Sequence, residues 1–220
     1  HVDTSYNPDI ISANFVSEVD NQYFPLVPGT TFHYLDTITE GTTVTKQDVA
    51  VTVTHDTKTI LGIPCTVVHD VVTQEGTLVE DTWDWYTQDK DGNVWYFGED
   101  TKKYEPGSTT PDTEGSWEAG VNNAKPGIIM YADPEAHVNM PYRQEYLHGV
   151  AEDKAEVLSI SESITVPGGS FTNCVMTKDY SDIEPDVVEH KFFAPGVGQV
   201  STITVQGGTE VEEFVSITTE

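Results

Sequence analysis

Runs of alternating β-branched residues, punctuated by glycine, proline and Asp-Gly turns, occupy most of this 220-residue chain. A side-chain period of two suits a half-buried strand and lays no apolar stripe along a helix, so the pattern restricts the chain to all-β folds. Val49-Ala-Val-Thr-Val-Thr54 shows it plainly, with Val49, Val51 and Val53 on one face. Strands are expected at 31–38, 47–56, 64–73, 78–88 and 93–98, and again at 142–148, 154–166, 171–180, 187–194, 198–206 and 210–218. Between Trp83-Asp-Trp-Tyr86 and Val94-Trp-Tyr-Phe97, the segment Lys90-Asp-Gly-Asn93 predicts a hairpin, because Asp-Gly accepts the positive φ of a tight primed turn.

The second set of strands echoes the first. Cys65-Thr-Val-Val-His-Asp70 aligns with Cys174-Val-Met-Thr-Lys-Asp179, and Val51-Thr-Val-Thr-His-Asp56 with Val157-Leu-Ser-Ile-Ser-Glu162. Trp85-Tyr86 and the Gly92 turn align with Phe192-Phe193 and the Gly196-Val-Gly198 turn; Phe32-His-Tyr34 faces Tyr142-Arg-Gln144. This predicts a duplicated five-strand meander. Two antiparallel meanders can form a barrel-like or strongly curved sheet, and closure removes exposed edges. The expected organisation is an N-terminal arm at 1–22, a first β-meander at 23–100, an irregular lid or crossover at 101–140 and a second β-meander at 141–220. Tyr23-Phe-Pro-Leu-Val-Pro-Gly29 marks the expected start of the folded part, and the crossover is rich in Gly, Pro, Asn and Asp.

Charge narrows the partners. Thirty-seven Asp and Glu face ten Lys and Arg, for a net charge of −27, and Arg143 is the sole arginine. Such a surface repels phosphates and anionic lipid, which argues against nucleic acid. No apolar run reaches the roughly 18–20 residues of a membrane-spanning helix. The acids serve either solubility in a salty exterior or the binding of divalent cations. Cys65 and Cys174 belong to no CxxC, haem or zinc pattern; in strands they are either buried free thiols or, if the strands are neighbours, a bridge.

Motifs for catalysis fail, so a non-enzyme is expected. There is no GxSxG, HxH or HxxxH, and carboxylate pairs carry little weight among so many acids. Aromatic residues around the Asp-Gly hairpin exceed what one strand pair packs, which makes Trp85, Trp95 and Trp117 candidate ligand-stacking residues. Arg143 and Glu145, two apart on one strand, are the best polar pair, either anchoring an anionic ligand or pairing in the core. Asp89, Asp91 and Asn93 have the residue types of a calcium loop, but Gly92 falls fourth instead of sixth, which favours a simple turn. No cofactor is required, calcium being the one such a loop would take. His1 offers an amine and an imidazole for copper if it is the natural terminus, as it would be after removal of an export segment.

Several segments together resemble a widespread family of exported bacterial β-rich proteins and lipoproteins. They are Phe24-Pro-Leu-Val-Pro-Gly29, Asp84-Trp-Tyr-Thr-Gln-Asp-Lys-Asp-Gly-Asn-Val-Trp-Tyr-Phe-Gly-Glu-Asp100, Glu114-Gly-Ser-Trp-Glu-Ala-Gly120, Tyr142-Arg-Gln-Glu-Tyr146 and Phe192-Phe-Ala-Pro-Gly-Val-Gly198. The resemblance spans roughly 23–206 and implies an exported β-rich module; it brings no activity with it. The expected function is therefore a non-catalytic extracellular, periplasmic or cell-surface module that binds a ligand or partner. One alternative is a structural subunit of an extracellular filament, self-associating by strand addition from residues 1–22. The other is a calcium- or copper-binding protein.

Overall fold

The computed structural model describes Asp3, residues 5–105 and residues 107–220. The period-two pattern becomes strands β1 (Phe15–Val16), β2 (Thr30–Glu40), β3 (Thr43–Ile60), β4 (Ile63–Gln74), β5 (Thr77–Asp89) and β6 (Val94–Lys103). They continue as β7 (Trp117–Glu118), β8 (Lys125–Met130), β9 (Pro141–Arg143), β10 (Glu145–Tyr146), β11 (Asp153–Val166), β12 (Gly169–Ser181), β13 (Val188–Ala194), β14 (Gly198–Gln206) and β15 (Val211–Thr219). Helical structure among the described residues is confined to the short 3-10 turns Ser12–Asn14 and Pro134–His137.

One antiparallel sheet runs β10-β8-β6-β5-β4-β3-β2-β15-β14-β13-β12-β11-β9, thirteen strands nearly closed into a barrel. Its two ends are successive pieces of one segment. Pro141–Arg143 pairs with β11, and after Gln144 the chain changes sides so that Glu145–Tyr146 pairs with β8. A bent segment thus bridges the seam. Gly127 of β8 makes this possible: a Cβ there would lie 2.3 Å from the Arg143 carbonyl oxygen.

Two runs of strands follow the same pairing order, β2-β3-β4-β5-β6 and β9-β11-β12-β13-β14. Their fourth and fifth strands also share an irregularity. Register slips by one residue between Trp85 and Tyr86, leaving Phe97 unpaired, and between Phe192 and Phe193, leaving Val200 unpaired. These are β-bulges, each opposite an aromatic pair that the sequence echo aligns.

Side chains divide into two clusters. The inner one fills the barrel and includes Phe32, Tyr34, Val49, Val53, Val68, Val157, Cys174, Phe193 and Phe214. The other lies on β4–β6 and includes Ile63, Cys65, Trp85, Phe97 and Trp117. Cys65 and Cys174 are free, and they belong to different clusters on strands that are not neighbours.

Two expectations change. The arm is not an unpaired leader: Val19 joins the inner cluster, β1 pairs with β5 of its own chain, and the folded body begins before Tyr23. The crossover is not simply a lid. Residues up to Lys103 extend β6, and β7 and β8 within it both pair with β6 as part of the wall.

Candidate functional site

Residues 19–26 close one end of the barrel. Leu26 N–H donates to the Val19 carbonyl at 2.9 Å, and the Asn21 amide reaches the Gly92 carbonyl at 2.9 Å, tying this segment to the Asp-Gly hairpin. Phe24 then enters the interior, where its ring lies 5.2 Å from Tyr86 and 6.4 Å from Phe193. With Leu26, Phe32, Val51, Val68 and Val197 it forms the apolar side of a cavity of about 370 Å³.

Toward the opposite end, marked by the Gly41, Gly76 and Gly207 hairpins, the inner wall turns acidic. Asp70 follows Val68 on the inner face of β4, and Glu80 and Asp84 precede Tyr86 on β5. Glu99 of β6, Glu189 of β13, and Glu210 and Glu212 at β15 complete the acidic wall. A contiguous space of about 340 Å³ adds Asp36 of β2 and Lys103. The result is a cup with an aromatic floor and a carboxylate rim.

Burial sets the chemistry of this rim. Asp84 accepts the Tyr96 hydroxyl at 2.6 Å, yet burial lifts its carboxyl to about 7 against that bond. Burial and the neighbouring Asp84 charge raise Glu99 to about 8. Glu212 rises to about 7 through burial, even though Lys191 pulls the other way. Asp36, only 3 % exposed, is raised to about 7 by burial and by Glu210 and Glu212. Asp70 rises well above the usual carboxylate range for the same reasons, burial first and then the charges of Asp84 and Glu212. One oxygen of Asp36 and one of Asp70 are buried with no hydrogen-bond partner. Burial opposes the charge on Lys191, but Asp179 at 3.6 Å and Glu189 at 3.7 Å keep its ammonium in place. It is thereby already engaged.

The sequence-nominated residues lie elsewhere. Trp85 is on the other face of β5 from Asp84 and Tyr86, capped by Lys58 Nζ at 3.3 Å from its ring, and Lys58 is paired with Glu118 at 2.6 Å. Trp95 packs edge-on against Phe15 and donates its indole N–H to Asp89 at 2.9 Å. Trp117, 4 % exposed, packs on Tyr96. None of the three lines the cup: Phe15 of the arm covers Trp95, Lys58 paired with Glu118 of β7 covers Trp85, and Trp117, on β7 itself, is buried against Tyr96, so the expected aromatic cleft is core. Glu145 is buried near Trp117 and its carboxyl is raised well above the usual range by burial and the Asp153 and Glu99 charges. Arg143 is not paired with it. Its guanidinium stands 4.5 Å from the Tyr146 ring and bonds Asp3 of the arm at 3.0 Å.

Asp89 organises the hairpin turn. Its carboxylate accepts from the backbone N–H of Asp91 and Asn93, the Asn93 amide and the Trp95 indole, all within 3.0 Å. Those four donors occupy the oxygens a calcium ion would need, and Asn93 Oδ1 is taken by Ala132 N–H at 3.0 Å. His1 lies outside the described residues. Among the described residues no group of three or more His, Cys, Asp or Glu is placed to hold a metal ion.

Sequence reasoning missed the acidic rim, although a signal was present. Asp36 shares strand parity with Phe32 and Tyr34, as Asp70 does with Val68, so core-facing parity already pointed these acids inward. Glu99 was hidden: simple alternation sets it opposite Tyr96, and only the bulge at Phe97 brings both onto the Asp84–Tyr86 face.

No protein-family model matches the chain, and no curated protein matches it. Among solved structures, the fold is similar to that of a Bacteroides fragilis protein described as exported and as having a YmcC-like fold. The TM-score is 0.52 at 12% identity, covering 90% of this chain and 99% of that one. A protein of Parabacteroides distasonis described as a lipoprotein matches over the same shares at 14% identity with a TM-score of 0.48.

Proposed function

We propose that the chain is a non-catalytic β-barrel module of the cell exterior that holds a small organic ligand in its cup. The observation that carries this reading is the cup itself: a cavity of about 370 Å³ with Phe24, Tyr86, Val51 and Val68 on one side and a wall of carboxyl groups on the other. A barrel built only to be rigid would fill such a space with side chains, because an empty apolar wall forfeits dispersion contacts. Convergent polar groups around an apolar floor are what orient a bound molecule. The exterior location is supported by the family resemblance and by the fold likeness to a protein described as exported.

Titration with the neutral fluorescent arene N-phenyl-1-naphthylamine tests the reading. Saturable enhancement with one site per chain is expected, and Val51→Trp, which fills the cup from β3, is expected to abolish it while the far-ultraviolet circular dichroism stays unchanged. Equal enhancement in the folded Val51→Trp variant would place the probe on the outer surface and overturn the proposal.

A further inference from the structure

The geometry points to a linear polyamine as the ligand class of this cup, its ammonium groups spread along the carboxylate rim and its alkyl chain lying on the aromatic floor. The inference rests on the cup being a binding site and goes further by naming the chemistry. Charge is the first argument. Four strands around the wall, β4, β5, β6 and β15, present Asp70, Asp84, Glu99 and Glu212 to the cup, and β2 adds Asp36 to the adjoining space that Asp70 and Glu212 also line. Glu80 and Glu210 sit between them. Facing these are two cations: Lys191, held by Asp179 and Glu189, and Lys103 at the rim. When ionised, these acids outnumber the cations inside the barrel, where water screens charge less than at the surface.

The second argument is independent of the count. Asp36 is 3 % exposed, lines the adjoining space beside the Glu210 carboxyl, and keeps one buried oxygen without a hydrogen-bond partner; one oxygen of Asp70, which lines both spaces, is likewise buried and unpaired. A buried acceptor left unpaired costs about 1–3 kcal/mol, so folded proteins keep one chiefly where something else supplies the donor. An ammonium group supplies up to three. The acceptors are dispersed around the wall, whereas a compact metal ion needs them gathered at about 2–2.6 Å from one point. An extended cation can meet them one after another. Its methylene segments match the rest of the lining, where Phe24, Leu26, Val51, Val68 and Tyr86 form an apolar wall.

Proton linkage follows from the same groups. Asp36, Asp84, Glu99 and Glu212 hold protons near neutrality, and Asp70 and Glu210 are shifted the same way. A polyamine binds their ionised forms, so uptake releases protons and affinity rises with pH. Lys191 stays charged throughout and opposes binding equally at both ends of the range.

Isothermal titration of the full chain with spermidine in low-salt buffer tests the inference. One site is expected, tightening about tenfold between roughly pH 6 and pH 8.5 as the raised carboxyls ionise. Asp70→Asn and, as an independent variant, Glu212→Gln should each weaken it about tenfold, while Asp56→Asn on the exposed surface leaves it unchanged. Equal losses in all three variants would mean diffuse attraction to a chain of net charge −27 and overturn the inference. Calcium chloride displacing spermidine at equal concentration would also overturn it, in favour of a metal ion. If the neutral arene binds the cup and spermidine does not, the cup remains a binding site and the polyamine assignment fails.

Discussion

Asp84 sets burial against charge at a single carboxyl. Its alternation partner Tyr86 belongs to the floor, and its own side chain receives the Tyr96 hydroxyl at 2.6 Å. That bond favours the ionised form, but burial outweighs it and the folded-state carboxyl is pushed up from the ordinary aspartate range to about 7. A carboxyl raised in the folded state stabilises fully below its unfolded pKa, and that contribution is lost as pH climbs through the folded one. Asp84 therefore weakens the fold between roughly pH 4 and pH 7 and beyond. Asn accepts the same Tyr96 bond without ionising. Asp84→Asn is expected to raise the melting temperature at about pH 8.5 by roughly 4 °C or more and to change it little at about pH 5, as thermal melts at the two values would read. A variant less stable than the parent at the higher pH would show that Asp84 needs its charge.

Among the elements, the N-terminal arm and the bulges do most to shape the site. The arm covers the outer face of β5–β6 with Phe15, whose ring meets Trp95 at 6.0 Å and Phe97 at 5.7 Å, and then supplies the floor segment 19–26. Its pairing with β5 is only two residues long, Phe15 with Asp89 and Val16 with Gln88, so side-chain packing carries the docking. Phe15→Ala is expected to cost about 1–3 kcal/mol in urea unfolding, below the value for a fully buried ring because Phe15 is only partly buried. No measurable loss would mean that the arm rests on the barrel without holding it. Opposite it, the bulge at Phe97 sends that ring outward to Phe15 while Tyr96 and Glu99 both turn inward, so one extra residue serves both faces of the wall.

For the whole molecule the governing quantity is self-repulsion. A net charge of −27 on a 24.2 kDa chain opposes compaction, and the acids inside the barrel add to those outside it. Raising sodium chloride from about 0.01 to about 1 M shortens the screening length from about 30 Å to about 3 Å. The melting temperature should climb by at least roughly 5 °C across that range, and calorimetry at fixed pH would measure it. A flat response would mean that the acids repel no more strongly in the folded chain than in the unfolded one. The barrel limits the damage by burying several of its inner acids, whose raised carboxyls give up their charge near neutrality.

Period two, turn chemistry and composition determined by themselves that this chain is all-β, where its long strands run and that Lys90–Asn93 turns between two of them. These features are local: each depends on residues a few positions apart, whose conformational preferences survive in any surroundings. Which face of each strand became the interior was not local. It depended on the side-switch at Gln144 that joins β8 to β11, on pairings such as Val211 with Thr37, and on an arm that covered Trp95. Trp85, Trp95 and Trp117 looked available only because nothing near them in the chain announces their covers, Lys58 on Trp85, Phe15 on Trp95 and Tyr96 on Trp117. Asp36, Asp70 and Glu99 looked like ordinary surface acids because a carboxylate reads the same on either face of a strand. Closure of the sheet, a matter of contacts more than a hundred residues apart, turned one of those faces into a cup.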